Sequence, residues 1–361
     1  MSRPLDGLLV LDLTRAVAGP MCTMHLADLG ARVIKVEEPG GDETRRWGPP
    51  FVDGDATYFL GLNRNKESAA LDLKNPADLA LAQRIAARAD IIVENFRPGV
   101  AARLGLGHEE WCAKRPELIY ASVSGFGQTG EDAHRPGYDL IVQAACGLMH
   151  TSGGRVSFPV ADVLAALYLQ NGILTALYRR RETGTGGYID VSLMEALYAG
   201  MSPLVSEVLM AGSDPEPKGT AHANIVPYQV FQASDGGVAI GVTNTRIWER
   251  FCHVLEREEW LADPRFTGNG ARNENRELLI GMIEPVIAAK PAREWETLMR
   301  AASVPCAAVR RVGELVTGDW TIEDGLRVMG NPMHLTGVEP RRDAVPKLGQ
   351  DTDRLRAEFA G

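Results

Sequence analysis

The sequence predicts an α/β protein: an open, mostly parallel, Rossmann-like sheet in a large domain, with a second, smaller α/β domain after it. Three observations carry that reading. Short apolar runs alternate with helical stretches through the first third of the chain, the pattern of repeated βα units. A long apolar helical stretch and one further strand-like run close this part. A composition shift at residues 211–223 (AGSDPEPKGTAHA) then precedes a new set of strands and helices.

Leu8 to Leu13 is a nearly continuous apolar run, as expected of a parallel strand buried on both faces. Gly19-Pro20 opens a helical stretch through Leu29, and Gly30 follows where helix ends favour glycine. Arg32 to Glu37 (RVIKVE) reads as a second strand. Asn75 is placed to cap a helix that starts at Pro76, runs through Ala89 and feeds a strand at Ile91 to Glu94. Leu118 to Val123 is a fourth strand. Asp162 to Arg181 is the long apolar helix, ending in three arginines that suit the negative end of its dipole. A strand at Tyr188 to Val191 leads to a helix from about Ser192 to Met210. Beyond the linker, Tyr228 to Ala233 and Val238 to Val242 form a hairpin turned at Asp235-Gly236-Gly237. Helices follow near Trp248 to Glu256, Asn275 to Ala289 and Ala292 to Ala302. The large domain is thus assigned to residues 1–210, the linker to 211–223 and the small domain to 224–330, with the tail 331–361 returning to the large domain.

With 38 Lys plus Arg against 47 Asp plus Glu, the net charge is −9. Such a field disfavours nucleic acid or anionic membrane as a partner, so an anionic ligand needs a local basic cluster. The five cysteines are scattered and odd in number, which argues against a disulfide framework, and no pair has metal-ligand spacing. No cleavable leader is read at the N-terminus, and no uninterrupted apolar run approaches ~20 residues. The expectation is a cytoplasmic protein that needs no metal.

Gly125-Phe-Gly127-Gln-Thr-Gly130 spells a G-x-G-x-x-G directly after a strand. A dinucleotide site needs a helix opening there, with its N-terminus on the pyrophosphate. Pro136 and Gly137 stand where that helix belongs, so the stretch reads as a loop and no nicotinamide cofactor is expected. Asp162 begins the apolar helix. By position it reads first as an ordinary N-cap, and second as a carboxylate kept ionised by the helix's positive end and available as a nucleophile. Lys74, Arg97 and Arg103 lie just beyond strand-like segments. Singly they are solvated charges; together they would cradle a phosphate. His25, His150 and His222 have no partner at a recognisable spacing and read as structural, and Cys22 and Cys146 as core thiols.

Ordered motifs add a resemblance. Leu11-Asp12-Leu13-Thr14-Arg15 with Ala18-Gly19-Pro20, Leu29 to Glu37, Asn63-Arg64-Asn65-Lys66, Leu71-Asp72-Leu73-Lys74, Val93 to Gly99, Gly125 to Gly130, Gly137-Tyr138-Asp139 and Asp162 through Asp190 resemble the class III coenzyme A transferases, the CaiB/BaiF family. Asp263-Pro-Arg-Phe266 and Val304-Pro-Cys306 continue the likeness into the small domain, so it spans nearly the whole chain. The resemblance implies an interlocked homodimer and coenzyme A or acyl-CoA as substrate, with a small carboxylic acid as the other partner. It implies Asp162 as the nucleophile, passing through an aspartyl mixed anhydride and an enzyme–CoA thioester. It further implies that Ala16, Val17, Ala18, Leu71, Lys74, Asn95, Phe96, Arg97 and Arg103 hold CoA. Two departures bear on specificity. Glu38 stands where some members place an arginine, and Gly219 to Gln229 (GTAHANIVPYQ) replaces the glycine-rich loop of oxalate-specific members. The superfamily's racemases carry Gly-His-Asp where this chain has Gly137-Tyr138-Asp139. A tyrosine with an ordinary pKa near ~10 is a poor base at neutral pH, which ranks transferase above racemase. A CoA-binding protein without turnover is the third alternative.

Overall fold

The structure is a computed structural model that describes residues 3–316 and 320–360. The outer ends of the large-domain assignment and positions 317–319 of the small-domain assignment lie outside the described residues. By its contacts the chain divides into two compact units, one of residues 3–150, 154–215 and 320–360, the other of 151–153 and 216–316.

In the larger unit the strands are β1 (Leu9–Leu13), β2 (Arg32–Glu37), the short pair β3 (Phe51–Val52) and β4 (Asp55–Ala56), β5 (Lys66–Ala70), β6 (Ile91–Glu94), β7 (Ile119–Ser124) and β8 (Gly187–Ser192). Six of them form one sheet in the order β5-β2-β1-β6-β7-β8. Every pairing in it is parallel. The order reverses at β1, which lies between β2 and β6, and open α/β sheets bind ligands beyond the strand C-termini at such a point. The two sheet faces carry separate cores. One is built on Val10, Val33, Ile91, Val93 and Val123 with the helices Ala18–Asp28 and Val160–Thr183. The other is built on Leu11, Ile34, Ile92 and Tyr120 with the helix Pro76–Ala86.

The helix Val160–Thr183 has the length and mean hydropathy, 1.5, of a membrane span. Its Ala161, Ala165, Ala166, Leu169 and Ile173 are buried in a stripe at helical spacing, so it serves as the central packing helix of this unit. The tail is tied to the same unit. Asn331 donates to Asp28, and the Arg341 N–H donates to the Asp28 carbonyl.

The smaller unit holds a three-stranded sheet of β9 (Tyr228–Gln232), β10 (Gly237–Gly241) and β11 (Cys306–Ala308), in the order β11-β10-β9 and wholly antiparallel. Trp248, Phe251, Phe266 and Trp295 fill its core. Buried Arg272 stacks over the Trp248 ring at 4.9 Å and donates to the carbonyls of Val226 and Phe266. All five cysteines are free thiols, and burial pushes Cys22 above the ordinary thiol range.

Several elements differ from expectation, among them the following. The helix predicted over 192–210 is two, Leu193–Gly200 and Ser202–Ala211, because Pro203 suits only the first turn of a helix and forces a restart. β5 and β11 carry no apolar alternation and were not foreseen. Asp162 is not the N-cap: Pro159 holds that place and Asp162 is the third helical residue.

Candidate active site

The chain leaves β1 through Asp12, Thr14 and Arg15, and three sets of bonds fix its path. Thr14 donates its N–H and hydroxyl to Asp12 Oδ1, at 2.9 and 2.5 Å. Lys35 Nζ donates to the Thr14 carbonyl at 2.7 Å. Asn95, just past β6, grips Arg15 at both ends: the Arg15 N–H reaches Asn95 Oδ1 at 3.0 Å and Asn95 Nδ2 reaches the Arg15 carbonyl at 2.8 Å. Ala16 is held at φ +65°, left-handed and strained for a side chain with a Cβ. Its N–H points to Asp42 Oδ1 at 3.4 Å. Gly19 follows because a Cβ there would meet the Thr14 side chain at 2.3 Å. The turn into the helix Ala18–Asp28 is therefore fixed before any ligand arrives.

Beneath it lies an ionic cluster sealed from water. Burial raises the Asp12 carboxyl, but the charges of Lys66 and Lys35 and the hydroxyls of Thr14 and Thr23 outweigh it, and its pKa falls to about 2. Lys66 Nζ sits 3.1 Å from Asp12 Oδ2 and also donates to Asn63 Oδ1 and the Pro20 carbonyl.

Asp162 faces this turn. The nearby Ala18 N–H favours its carboxylate form, yet burial, with the charge of Asp139 added, pushes its pKa up to about 7. The sequence-based expectation of a carboxylate held ionised by the helix terminus is corrected here. Desolvation and a like charge outweigh one backbone donor and the dipole. Asp139 itself is buried and anchored by the Ala161 N–H (3.0 Å) and the Gln143 amide (2.7 Å). Tyr58, packed edge-on against Trp47, is raised by burial and then by the charges of Asp162 and Asp139. It lies too far from them in sequence for spacing to signal it.

A cleft of about 140 Å³ opens on Asp162 at the C-terminal edge of the parallel sheet. Of the residues singled out from sequence, Ala16, Ala18, Asn95, Phe96, Arg97 and Asp162 line it together. Tyr138, Ser124, Gly125 and Arg15 complete much of the wall. Val17 caps the helix Ala18–Asp28 and is buried. Leu71 is fully buried in the core with Leu81 and Ile85. Lys74 and Arg103 are exposed and lie outside this cleft. Under the loop that carries Asn95 and Phe96, buried Glu94 accepts the Phe96 N–H at 2.7 Å and the Ser122 hydroxyl. Burial pushes Glu94 up to about 7 against those two hydrogen bonds. Residues 125–138 contain no helix, as the loop reading of Gly125 to Gly130 requires. The loop Gly219–Gln229 belongs to the smaller unit, where Arg276 ties down the carbonyls of His222 and Ala223. Among the described residues no group of three or more His, Cys, Asp or Glu could hold a metal ion.

A parallel sheet whose C-terminal edge bears a desolvated carboxylate and a cleft beside a pre-formed backbone turn suits an enzyme that binds its ligand at that edge. The chain belongs to CoA-transferase family III, which it matches over residues 5–352. It is 38% identical over 331 residues to succinyl-CoA:glutarate CoA-transferase of Mus musculus, spanning 90% of this chain and 76% of that one. It is also 38% identical over 374 residues to acetyl-CoA:oxalate CoA-transferase of Acetobacter aceti, spanning 99% of this chain and 96% of that one. Among solved structures, a CaiB/BaiF family protein from Brucella suis superposes with a TM-score of 0.88 at 34% identity, covering 99% of this chain and 100% of the other. The chain is a class III CoA-transferase, with CoA thioesters as substrates.

Proposed function

We propose that this enzyme moves CoA from a dicarboxylic acyl-CoA to a second carboxylic acid, with Asp162 carrying the acyl group. Asp162 in its ionised form attacks the donor thioester carbonyl. A C–O bond forms, the C–S bond breaks, and CoA leaves as the thiolate, giving a mixed anhydride. The thiolate then attacks the aspartyl carbonyl, releasing the donor carboxylate and leaving Asp162 as an enzyme–CoA thioester. The acceptor carboxylate attacks that thioester to form a second anhydride and free the thiolate. Attack of the thiolate on the acceptor carbonyl releases the new acyl-CoA and restores the Asp162 carboxylate. One thioester is exchanged for another, so the steps balance without nucleotide hydrolysis. The observation that carries the reading is Asp162 itself, desolvated, beside the Ala18 N–H and set on the cleft wall.

The dicarboxylate class rests on two supports. Relatives at 36–38% identity are named for succinyl-CoA or succinate with glutarate, or for succinyl-CoA with mesaconate. Arg15 lines the cleft and makes no side-chain ion pair among the described residues, so its guanidinium is free for a distal carboxylate. Ala16 to Ala18, Asn95, Phe96 and Arg97 take the CoA arm, with Lys74 and Arg103 on its phosphates and Leu71 in the supporting core. We assign the enzyme to the cytoplasm as an interlocked homodimer with no nucleic acid or membrane partner. Exposed Tyr168, Tyr178, Leu209 and Met210 on the helices of the larger unit suit burial against a second copy.

The test is incubation with succinyl-CoA and a panel of mono- and dicarboxylic acids, followed by hydroxylamine or borohydride trapping. Parent enzyme exchanges CoA and yields a trapped Asp162 adduct. Exchange by Asp162→Ala at the parent rate would sink the mechanism. Robust deuterium wash-in at the α-carbon of a 2-methylacyl-CoA would favour racemisation, and tight CoA binding without turnover on any acid would favour a non-catalytic role.

A further inference from the structure

We infer that Ser124 is a substrate-binding residue whose hydroxyl donates to a carbonyl oxygen of bound acyl-CoA; this deepens the transferase reading above and rests on it. Ser124 is the last residue of β7 and lines the cleft that holds Asp162. Its Oγ is shut away from solvent, yet it has no hydrogen-bond partner within the protein. Side-chain polar atoms in that condition are rare in folded proteins, because an unmet donor forfeits its bonds to water. Ser122, two residues earlier on the same strand and buried, shows the usual outcome: it gives its hydroxyl to Glu94.

The frame around Ser124 is rigid. β7 and β8 pair in register through Ser124 and Ser192. One residue on, the Gly125 carbonyl accepts the Met194 N–H at 3.1 Å. Gly125 and Gly137 pack backbone to backbone, so that a Cβ on either would meet the other's Cα at 2.6 Å. The backbone therefore holds the Ser124 Cα–Cβ bond at the cleft wall, and rotation about that bond alone brings Oγ to a ligand there. A side chain with one rotatable heavy-atom bond on a fixed backbone costs little further ordering when a ligand arrives.

The ligand group follows from the neighbours. Arg15, Asn95 and Arg97 supply donors on the same wall, and Asp162 supplies the nucleophile. An acyl-CoA threaded along this wall presents uncharged carbonyl oxygens: the thioester carbonyl beside Asp162, and the two amides of the pantetheine arm. A serine donor suits any of these.

The experiment compares Ser124→Ala and Ser124→Thr with the parent, measuring Kd for CoA and for succinyl-CoA by calorimetry and the rate of Asp162 adduct formation in a single turnover. Loss of one neutral hydrogen bond is expected to weaken the affected step about 3- to 10-fold, with recovery in Ser124→Thr, which keeps the hydroxyl. If the partner is a pantetheine amide, both Kd values rise together and the single-turnover rate holds. If it is the thioester carbonyl, CoA binding holds while adduct formation slows. Ser124→Ala matching the parent within twofold in all three would overturn the inference. So would failure of Ser124→Thr to recover a folded Ser124→Ala defect. A parent that binds no CoA would instead refute the transferase reading.

Discussion

The raised pKa of Asp162 makes the pH dependence of the first half-reaction the most direct test of this site. Under the proposed mechanism only the carboxylate form of Asp162 attacks the thioester, and a pKa of about 7 leaves half of the free enzyme competent at that pH. With donor limiting, kcat/KM should therefore fall about tenfold per pH unit on the acidic side and level off above about pH 8. Asp139→Asn removes the like charge but keeps a side chain of the same shape, with an oxygen for the Ala161 N–H. The Asp162 pKa should move down, though it stays above the ordinary carboxyl range because burial is the larger cause. At pH 6 only about a tenth of the parent is ionised, so the variant can gain at most about tenfold there and nothing at pH 9. The assay is single-turnover release of CoA from succinyl-CoA, trapped with a thiol reagent, from pH 5 to 9. An acidic limb that stays in place, or moves up, would refute the electrostatic account of the site.

Three further outcomes follow from the same geometry. A carboxyl raised from 3.8 to about 7 favours the protonated folded state, so its contribution to stability is present below about pH 4 and is lost as pH rises through about 7. Asp162→Asn should thus be more stable than the parent at pH 8, by up to about 4 kcal/mol, as read in urea unfolding; equal midpoints there would count against a desolvated carboxylate. Asp12→Ala leaves Lys66 buried without its charge partner and should cost about 3–5 kcal/mol in the same assay; a cost under 1 kcal/mol would mean that water enters the cluster. Asn95→Ala removes both bonds to Arg15 and should cost about 1–3 kcal/mol. It should also shift the acidic limb upward as the Ala18 N–H loosens from Asp162; an unmoved limb would separate Asn95 from the catalytic turn.

Much of the larger unit was legible because its strands are apolar and its helices carry ordinary start and stop signals. β5 was hidden because its inward-facing residues are polar. Lys66 is met by Asp12, and Ser68 gives its hydroxyl to Glu37 and receives the Gly349 N–H from the tail. Burial of that kind is bought by distant partners, and no periodicity in KESAA announces it. β11 is three residues long and exists through its register with β10. At the site, the motifs brought Ala16, Ala18, Asn95, Phe96 and Asp162 forward together, and the fold gathers them at one cleft. What the motifs could not show is the sign of the electrostatics. Asp162 beside a helix terminus looks favoured as an anion until Asp139 and the surrounding burial are in place.

That sign matters to the chemistry. A carboxylate with an ordinary pKa near ~4 would be fully ionised at neutral pH but weakly basic, and solvation would further blunt its attack on a thioester. Raising the pKa to about 7 gives up at most half of the competent population at that pH in exchange for a more basic, less solvated oxygen. A pKa well above that value would lose more in population than basicity returns. The opposing Ala18 N–H keeps Asp162 from that side. It hangs on a turn that Asn95, Asp12 and Lys35 hold in strained form at Ala16. Buried ion pairs of this kind contribute little net stability. Their worth here is positional: they hold the turn that carries the Ala18 N–H beside Asp162, and under the proposed mechanism so tune how much of that carboxyl is ionised at neutral pH.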